Sequence, residues 1–380
     1  MPTKKKPVLY TGLINRYRDY LPLPKKVKAV TLNEGNTPLI RLENLPRELG
    51  VDAELYVKFE GANPTGSFKD RGMTVAVTRI VHDGGRAIIC ASTGNTSASA
   101  AAYAARAGIR CFVLIPDGKI AMGKLAQAMM HGSTVIQIKG NFDDGMRLVK
   151  EVAQEAPVGI VNSINPYRPH GQKTIAFEII EALGRAPDYH CLPVGNAANI
   201  AAHWIGYTEY STAAKDTAAH TMSKRDRKYK VPPRVKTRPV MLGYQAAGSA
   251  PFMRGGPVAN PETVATAIRI GNPQSWDYAW AASRESGGWF DEFEDSEILR
   301  VQKLLAEREG IFCEPASAVS VAGALKDLQN GKIPAGGTIV CTLTGHGLKD
   351  PETAIKQSGA ISTIEPNLDA VKRAILDKLS

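Results

Sequence analysis

Short apolar runs alternate with longer alanine-rich or charged segments along most of this 380-residue chain. Short runs rich in β-branched residues predict strands, and segments whose apolar residues recur every three or four positions predict helices. Repeated alternation of the two predicts an α/β protein with largely parallel sheets. The predicted strands are Glu54–Phe59, Ala87–Cys90, Cys111–Ile115, Thr134–Ile138, Gly159–Asn162, His190–Pro193, Val240–Tyr244 and Thr338–Leu343.

The predicted strands form two series, and two sheets, hence two lobes, are the simplest explanation. The first series ends at Gly159–Asn162 and the second begins at His190–Pro193. Between strands of the first series, Ser97–Gly108 is built largely from alanine, which predicts a helix packed closely on a sheet. A terminal amphipathic helix is predicted over Asn367–Leu379.

The composition is that of an ordinary globular protein, with 43% hydrophobic and 22% charged residues. No apolar run reaches the length of a membrane span, and the basic start Met1–Lys6 is not followed by the apolar stretch of a secretory signal. The five cysteines are widely spaced and include no C-x-x-C pair, which is typical of reduced core thiols. We therefore expect a cytoplasmic protein with no structural metal and no membrane partner.

Much of the net charge of +10 is concentrated in one segment. Lys215–Arg238 carries nine basic residues and two acidic ones, with a Pro-Pro pair and little apolar periodicity. This pattern predicts a solvated insertion over about residues 213–238. Nucleic-acid binding is the alternative, but no recognised nucleic-acid motif accompanies the charge, so we expect no nucleic-acid partner.

Asn63–Gly72 is the most informative segment for function, because it places one lysine at the predicted start of a helix. A proline and a glycine predict a turn, Ser67 an N-cap, and Gly72–Val81 a packed helix. The helix dipole and partial burial disfavour the ammonium form of Lys69, leaving an amine able to attack a carbonyl. Taken alone, a solvated lysine or a surface pair with Asp70 is the commoner explanation.

Further loops follow predicted strands and present small or polar residues. Gly195–Asn199 has the strand, loop and helix order that holds a phosphate on backbone amides, although a plain turn looks the same. Ser92–Ser97 offers amides and hydroxyls suited to a carboxylate, with N-capping as the alternative. Asn162–Thr174 includes Arg168, whose planar guanidinium suits a phosphate unless it is merely a surface arginine. Thr344 offers a hydroxyl where the last predicted strand ends.

Together these segments resemble the threonine synthases, a family of fold-type II pyridoxal-phosphate enzymes. The resemblance is closest at Asn63–Gly72 and extends from Glu34–Leu39 through Gly243–Ala247 and Glu314–Ala318 to Gly347–Asp350. It does not cover the basic insertion. It implies a two-lobed α/β fold, similar to the tryptophan synthase β chain, in which each lobe is a mostly parallel twisted sheet flanked by helices.

The same resemblance implies a domain organisation. Residues 1–70 and 159–380 would form a larger cofactor-binding domain that also carries the insertion. Residues 71–158 would form a smaller, mobile domain that binds the substrate carboxylate. The family also implies a homodimer.

The implied activity is that of a pyridoxal-phosphate-dependent carbon–oxygen lyase of threonine biosynthesis. Such an enzyme converts O-phospho-L-homoserine and water to L-threonine and phosphate. Lys69 would hold pyridoxal 5'-phosphate as a Schiff base and, once freed, would move protons at the substrate's α- and β-carbons. A threonine or serine dehydratase of the same fold is the nearest alternative, since it shares the lysine and both loops but has no use for a phosphate-seeking Arg168.

The resemblance also assigns the remaining site residues. Cofactor contacts would come from Lys69, Asn95 at the 3-hydroxyl, the phosphate loop of Gly195, Asn196, Ala197, Ala198 and Asn199, and Thr344 at the pyridine nitrogen. Substrate contacts would come from Ser92, Thr93 and Thr96 at the carboxylate and from Asn162, Ser163 and Arg168 at the phosphate. The family usually has glycine where Ala198 stands, so a positive φ there would strain the alanine.

Overall fold

The computed structural model of the chain describes residues 9–117, 122–140, 142–212, 232–358 and 363–379. Most of the predicted basic insertion, residues 213–231, lies outside the described residues. The described part contains one six-stranded and one four-stranded sheet with helices packed against them. The predicted two-lobed α/β architecture is therefore confirmed.

The six-stranded sheet has the order β1, β2, β10, β7, β8, β9. Strand β1 runs antiparallel to β2, and the other neighbours are parallel. All six residues of β10 are buried, as expected for a central strand covered on both faces. The sequence missed β1 and β9 because runs of three and four residues carry little periodicity. The strands are β1 (Leu39–Arg41), β2 (Glu54–Phe59), β7 (Tyr189–Pro193), β8 (Val240–Ala246), β9 (Phe290–Phe293) and β10 (Thr338–Leu343).

The four-stranded sheet is parallel throughout and has the order β5, β4, β3, β6. Its core is lined by small side chains, including Ala98, Ala100–Ala102 and Ala104 of the alanine-rich helix, which are buried. These short side chains let the helix approach the sheet closely, as the sequence predicts. The strands are β3 (Ala87–Ala91), β4 (Arg110–Pro116), β5 (Thr134–Ile138) and β6 (Val158–Ile160).

Helices connect most of the strands, and the predicted terminal helix is confirmed to within one residue. The described α-helices are α1 (Leu13–Arg16), α2 (Asn44–Glu48), α3 (Lys69–His82), α4 (Asn95–Ala107), α5 (Met122–Met130), α6 (Phe142–Glu155), α7 (Arg168–Gln172), α8 (Thr174–Leu183), α9 (Ala198–Tyr210), α10 (Pro251–Arg254), α11 (Trp276–Ser286), α12 (Asp295–Glu309), α13 (Pro315–Gln329), α14 (Pro351–Gln357) and α15 (Leu368–Leu379). Short 3₁₀ turns lie at Arg18–Tyr20, Glu60–Ala62, Thr266–Ile268 and Gly347–Lys349. Within the described ranges, no helix combines the length and apolarity of a bilayer span.

Helix α3 begins at Lys69 itself. Phe68 occupies the cap position with helical backbone angles, so the predicted N-cap at Ser67 is wrong. The Ser67 hydroxyl accepts only a long bond, 3.4 Å, from the Lys69 backbone N–H. Gly66 adopts a φ of +81°, which only glycine takes without strain, and its carbonyl accepts the His346 N–H at 2.9 Å. The turn before Lys69 is thereby fixed to the segment that follows β10.

Candidate active site

Loops that carry the predicted site residues leave the carboxyl ends of parallel strands. In the larger sheet, the adjacent strands β2, β10 and β7 lead to Lys69, Thr344 and Gly195–Asn199. In the smaller sheet, the adjacent strands β3 and β6 lead to Ser92–Ser97 and to Asn162–Ser163. This edge is where open α/β sheets bind ligands, because loop backbones and helix starts face it.

Two of the hydrogen bonds between segments of the two lobes lie near the start of α4. The Ser99 hydroxyl of α4 donates to Asp70 Oδ1 of α3 at 2.6 Å. The Asn95 amide at the start of α4 donates to Glu314 Oε2 at 3.0 Å. The start of α4 therefore lies beside the start of α3 and the end of β10.

Lys69 is a partly buried amine without a carboxylate partner among the described residues. Its Nζ lies 4.1 Å from the centroid of the Phe68 ring. Burial and the positive charge of Arg168 lower the pKa of Lys69 to about 7, while Glu314 opposes the shift. An amine with this pKa is substantially neutral at physiological pH and can act as nucleophile and as base.

Asp70 does not form the surface pair with Lys69 that was the alternative explanation of this segment. Its carboxylate is fully buried and accepts the backbone N–H and the hydroxyl of Thr65 at 2.7 and 2.6 Å, besides Ser99. Burial raises the pKa of Asp70 to about 6 in spite of these bonds. The residue holds the turn before Lys69 in place.

The Gly195–Asn199 loop presents five consecutive backbone N–H groups that bond to no acceptor within the described ranges. Two of its side chains form hydrogen bonds with backbone groups of the protein. Asn196 Oδ1 accepts the Gln274 N–H at 2.7 Å, and the Asn199 amide donates to the Pro193 carbonyl at 2.6 Å. The residue with positive φ is Ala197, at +66°, and Ala198 is an ordinary first helical residue. The concern about strain at Ala198 is therefore wrong by one position.

The Ser92–Ser97 loop has the same character at the start of α4. Within the described part of the chain, the N–H groups of Thr93, Asn95, Thr96 and Ser97 reach no acceptor. The Ser92 hydroxyl accepts the Gly94 N–H at 3.2 Å. No atom lies within 4 Å of the place where a Cβ on Gly94 would stand, so this side of the loop is open. The loop can receive an anion such as a carboxylate.

Arg168 is the first residue of α7 and is only 2% exposed. Its Nη1 donates to the Val161 carbonyl at 3.1 Å, whereas its Nε is buried without an acceptor in the described structure. Burial lowers the pKa of Arg168 to about 10, which leaves it a cation at neutral pH. A buried guanidinium with an unused N–H is suited to bind an anion.

Asn162 and Ser163, the other two residues predicted to bind the substrate phosphate, have different surroundings. Asn162 pairs with both backbone groups of Ala91, through Oδ1 at 3.1 Å and Nδ2 at 2.9 Å. One N–H of its amide remains for a ligand. Ser163 is half-buried in the loop between β6 and α7.

Glu314 is a residue of this site that the sequence did not identify. It is 4% exposed and accepts the Asn95 amide as well as the Thr344 hydroxyl, the latter at 3.2 Å. Thr344 Oγ1 also lies 2.9 Å from Ser317 Oγ. The sequence marks Glu314 only as the first residue of a segment that resembles the family, Glu314–Ala318, and its place at the site becomes visible only where the end of β10 and the start of α4 meet.

Comparisons with known proteins agree with this geometry. A family model described as pyridoxal-phosphate dependent enzyme matches residues 30–345. Threonine synthase from Synechocystis sp. is 53% identical over 96% of this chain and 91% of its own length. Threonine synthase from Mycobacterium tuberculosis is 54% identical, with 97% of this chain and 96% of the relative covered. The threonine synthase of Methanocaldococcus jannaschii is 50% identical over 95% of this chain and 86% of its own.

Solved structures show the same fold at low sequence identity. A threonine deaminase from Solanum lycopersicum superposes with a TM-score of 0.68 at 20% identity, covering 90% of this chain and 92% of its own. A maize serine racemase gives a TM-score of 0.66 at 18% identity, covering 91% of this chain and 93% of its own. At such identities the likeness describes the architecture and does not distinguish one reaction from another.

Proposed function

The chain belongs to the threonine synthases within the pyridoxal-phosphate-dependent enzyme family, and from that premise we propose that Lys69 holds the cofactor and moves the protons of the reaction. The reaction converts O-phospho-L-homoserine and water to L-threonine and phosphate. The observation that carries the proposal is an amine with a pKa of about 7 at the start of α3, together with two loops of unused N–H groups that follow the carboxyl ends of parallel strands.

The residues present fit pyridoxal 5'-phosphate. The N–H groups of Gly195–Asn199 are oriented by a helix start, which suits the cofactor phosphate. Lys69 supplies the amine that the aldehyde requires. Asn95 would face the 3-oxygen and Thr344 the ring nitrogen, and both side chains already meet at Glu314.

Bound there, pyridoxal phosphate supplies an electron sink beside the α-carbon of the substrate. Lys69 Nζ would take the α-proton, pass it on and later take a β-proton. Once phosphate has left, the γ-carbon would gain a proton, water would add its OH at the β-carbon, and Lys69 would return a proton to the α-carbon. A pKa near neutrality suits this repeated exchange, because the amine accepts and releases protons at similar cost.

Substrate recognition divides between two anion sites. The amides and hydroxyls of Ser92, Thr93 and Thr96 would hold the α-carboxylate at the start of α4. Arg168, helped by Asn162 and Ser163, would hold the phosphate and stabilise its charge as it leaves. The buried, unused Nε of Arg168 supports this division.

A phosphate-release assay tests the proposal against the dehydratase alternative. Purified protein with cofactor should release phosphate from O-phospho-L-homoserine, with little ammonia formed from threonine. Arg168→Ala should raise the KM for phosphohomoserine about 10- to 100-fold while the cofactor dissociation constant stays near its original value. An unchanged KM would remove Arg168 from the site, and faster ammonia release than phosphate release would favour the dehydratase.

We also propose the remaining features that the family implies. The smaller domain, residues 71–158, would move relative to residues 1–70 and 159–380 when the carboxylate binds. The enzyme would be a cytoplasmic homodimer. The five cysteines support the compartment, since all are buried free thiols.

A further inference from the structure

Glu314 stands where the two lobes meet at the proposed cofactor site. Its backbone N–H donates to the Gly345 carbonyl at 3.0 Å, which fixes the residue beside the end of β10. A Cβ added to Gly345 would lie 2.5 Å from Glu314 Oε1, so the chain leaves just enough room for this carboxylate. The carboxylate is therefore held by the larger lobe and reaches Asn95 of the smaller one.

The Glu314 carboxylate determines whether the NH₂ group or the oxygen of the Asn95 amide faces it. An ionised carboxylate only accepts hydrogen bonds, and both of its oxygens lie near Asn95 Nδ2, at 3.4 and 3.0 Å. Turning the amide over would place Asn95 Oδ1 against two oxygens, which is repulsive. Glu314 therefore fixes the amide with its NH₂ group on the site side.

An NH₂ group has two hydrogens, and Glu314 uses one of them. The second remains for a ligand in the cleft. If Asn95 faces the cofactor's 3-oxygen, as proposed above, this hydrogen stabilises the oxygen in its anionic form. A flipped amide would present a carbonyl oxygen instead and would favour the protonated form.

We propose that Glu314 is a positioning residue that orients Asn95 so that its amide donates to the cofactor's 3-oxygen. This inference rests on the proposed function, because it requires a cofactor joined to Lys69. Glu314 itself acts through Asn95 and is not assigned a step of the reaction.

The absorbance spectrum of the holoenzyme provides the test. Glu314→Gln keeps the shape of the side chain but replaces one acceptor oxygen with an NH₂ group, so the Asn95 amide loses the carboxylate that fixes its orientation. The visible band of the lysine-bound cofactor should then lose most of its intensity to a near-ultraviolet band of the protonated 3-hydroxyl form. The cofactor dissociation constant should rise about tenfold.

Two further variants keep the inference falsifiable if Glu314→Gln does not fold. Asn95→Asp, at a partly exposed position, keeps the shape but removes the donor, and it should cause the same loss of the visible band. Asn95→Ala should show a similar loss, and adding Glu314→Gln to it should change the spectrum little, since the two residues act as one unit. Full additivity of the two changes would overturn the inference.

Glu294→Gln is a matched control. Glu294 precedes α12 with φ −67° and ψ 150°, almost the same backbone angles as Glu314 before α13, but it bonds within its own helix start. The control should keep the visible band. If the unmodified holoenzyme and Glu314→Gln both show the visible band, Glu314 does not orient Asn95, and the proposed role of Lys69 is unaffected. If the unmodified protein with cofactor shows no visible band, both fail.

Discussion

Lys69 begins α3 and Lys173 follows α7, a helix that packs on α3, yet the two lysines have opposite surroundings. Lys173, fully buried, places its Nζ 2.7 Å from Glu209 Oε2. Lys58 is comparable, 2% exposed and 2.7 Å from Glu178 Oε2. Lys69 contacts an aromatic ring, and among the described residues no carboxylate forms an ion pair with it.

Burial alone does not make a lysine reactive. A carboxylate at contact distance favours the ammonium form and ties the side chain to the scaffold; at Lys58, burial lowers the pKa and Glu178 opposes that shift. Lys69 has burial and a nearby guanidinium instead, and both favour the neutral amine. We therefore expect substitutions at the two kinds of lysine to separate activity from stability.

Lys69→Ala should have the largest effect on activity. Turnover of phosphohomoserine should fall about 10⁴-fold or more, because the variant loses both the cofactor attachment and the proton carrier. The visible absorbance should disappear, while the free energy of unfolding of the cofactor-free protein changes little. Retained activity with an intact visible band would make Lys69 an ordinary buried lysine.

Lys173→Met should behave in the opposite way. Removing one partner leaves Glu209 buried without this charge, which should lower the free energy of unfolding by about 3 to 5 kcal/mol in a urea titration. Protein that remains folded should keep the visible band of the bound cofactor. Loss of the band in folded Lys173→Met protein would show that the two lysines are not functionally distinct.

Lys58 and Arg71 both form buried ion pairs with Glu178. These pairs should make the free energy of unfolding depend on pH in the acid range. Burial alone would raise the pKa of Glu178, but the charges of Arg71 and Lys58 hold it well below its usual range. A carboxyl with a lowered pKa stabilises the folded state above its unfolded pKa and loses that contribution as pH falls. The free energy of unfolding should therefore fall as pH drops from about 4 toward 2.

Glu178→Gln serves as the control for this acid dependence. The variant should be less stable at neutral pH, because it removes the negative charge that pairs with the buried cations Lys58 and Arg71. Its free energy of unfolding should change less steeply with pH over the same interval. Identical slopes in the two proteins would show that another group causes the acid dependence.

Arg168→Met should produce the smallest effect of this series on Lys69 itself. Removing a nearby positive charge raises the pKa of the Lys69 amine above its value of about 7. The pH midpoint for cofactor attachment should move upward by about one unit or less. A midpoint that stays the same or falls would show that Arg168 does not act on Lys69 through its charge.

The sequence predicted the parts of this structure that depend on local pattern. The bounds of Glu54–Phe59, Thr134–Ile138 and Thr338–Leu343 match β2, β5 and β10, because each is a continuous apolar or β-branched run. The start of a helix at Lys69 was likewise visible from the turn before it.

Other features depend on contacts between distant segments, which no local pattern records. Glu314 and Glu294 look alike in the sequence, yet only Glu314 reaches Asn95, from 219 residues away. The positive φ fell on Ala197 instead of Ala198, because the exact start of α9 determines which residue turns. The burial of Asp70 was missed because its partner Ser99 belongs to another helix.

The surroundings of Lys69 lower its pKa so that a large share of the amine is neutral near physiological pH. The most direct test is the rate at which cofactor-free protein forms the visible band with pyridoxal phosphate, measured as a function of pH, with Lys69→Ala as the blank. The rate should rise with pH through a midpoint of about 7. A midpoint close to the ordinary lysine value of 10.5 would contradict the account.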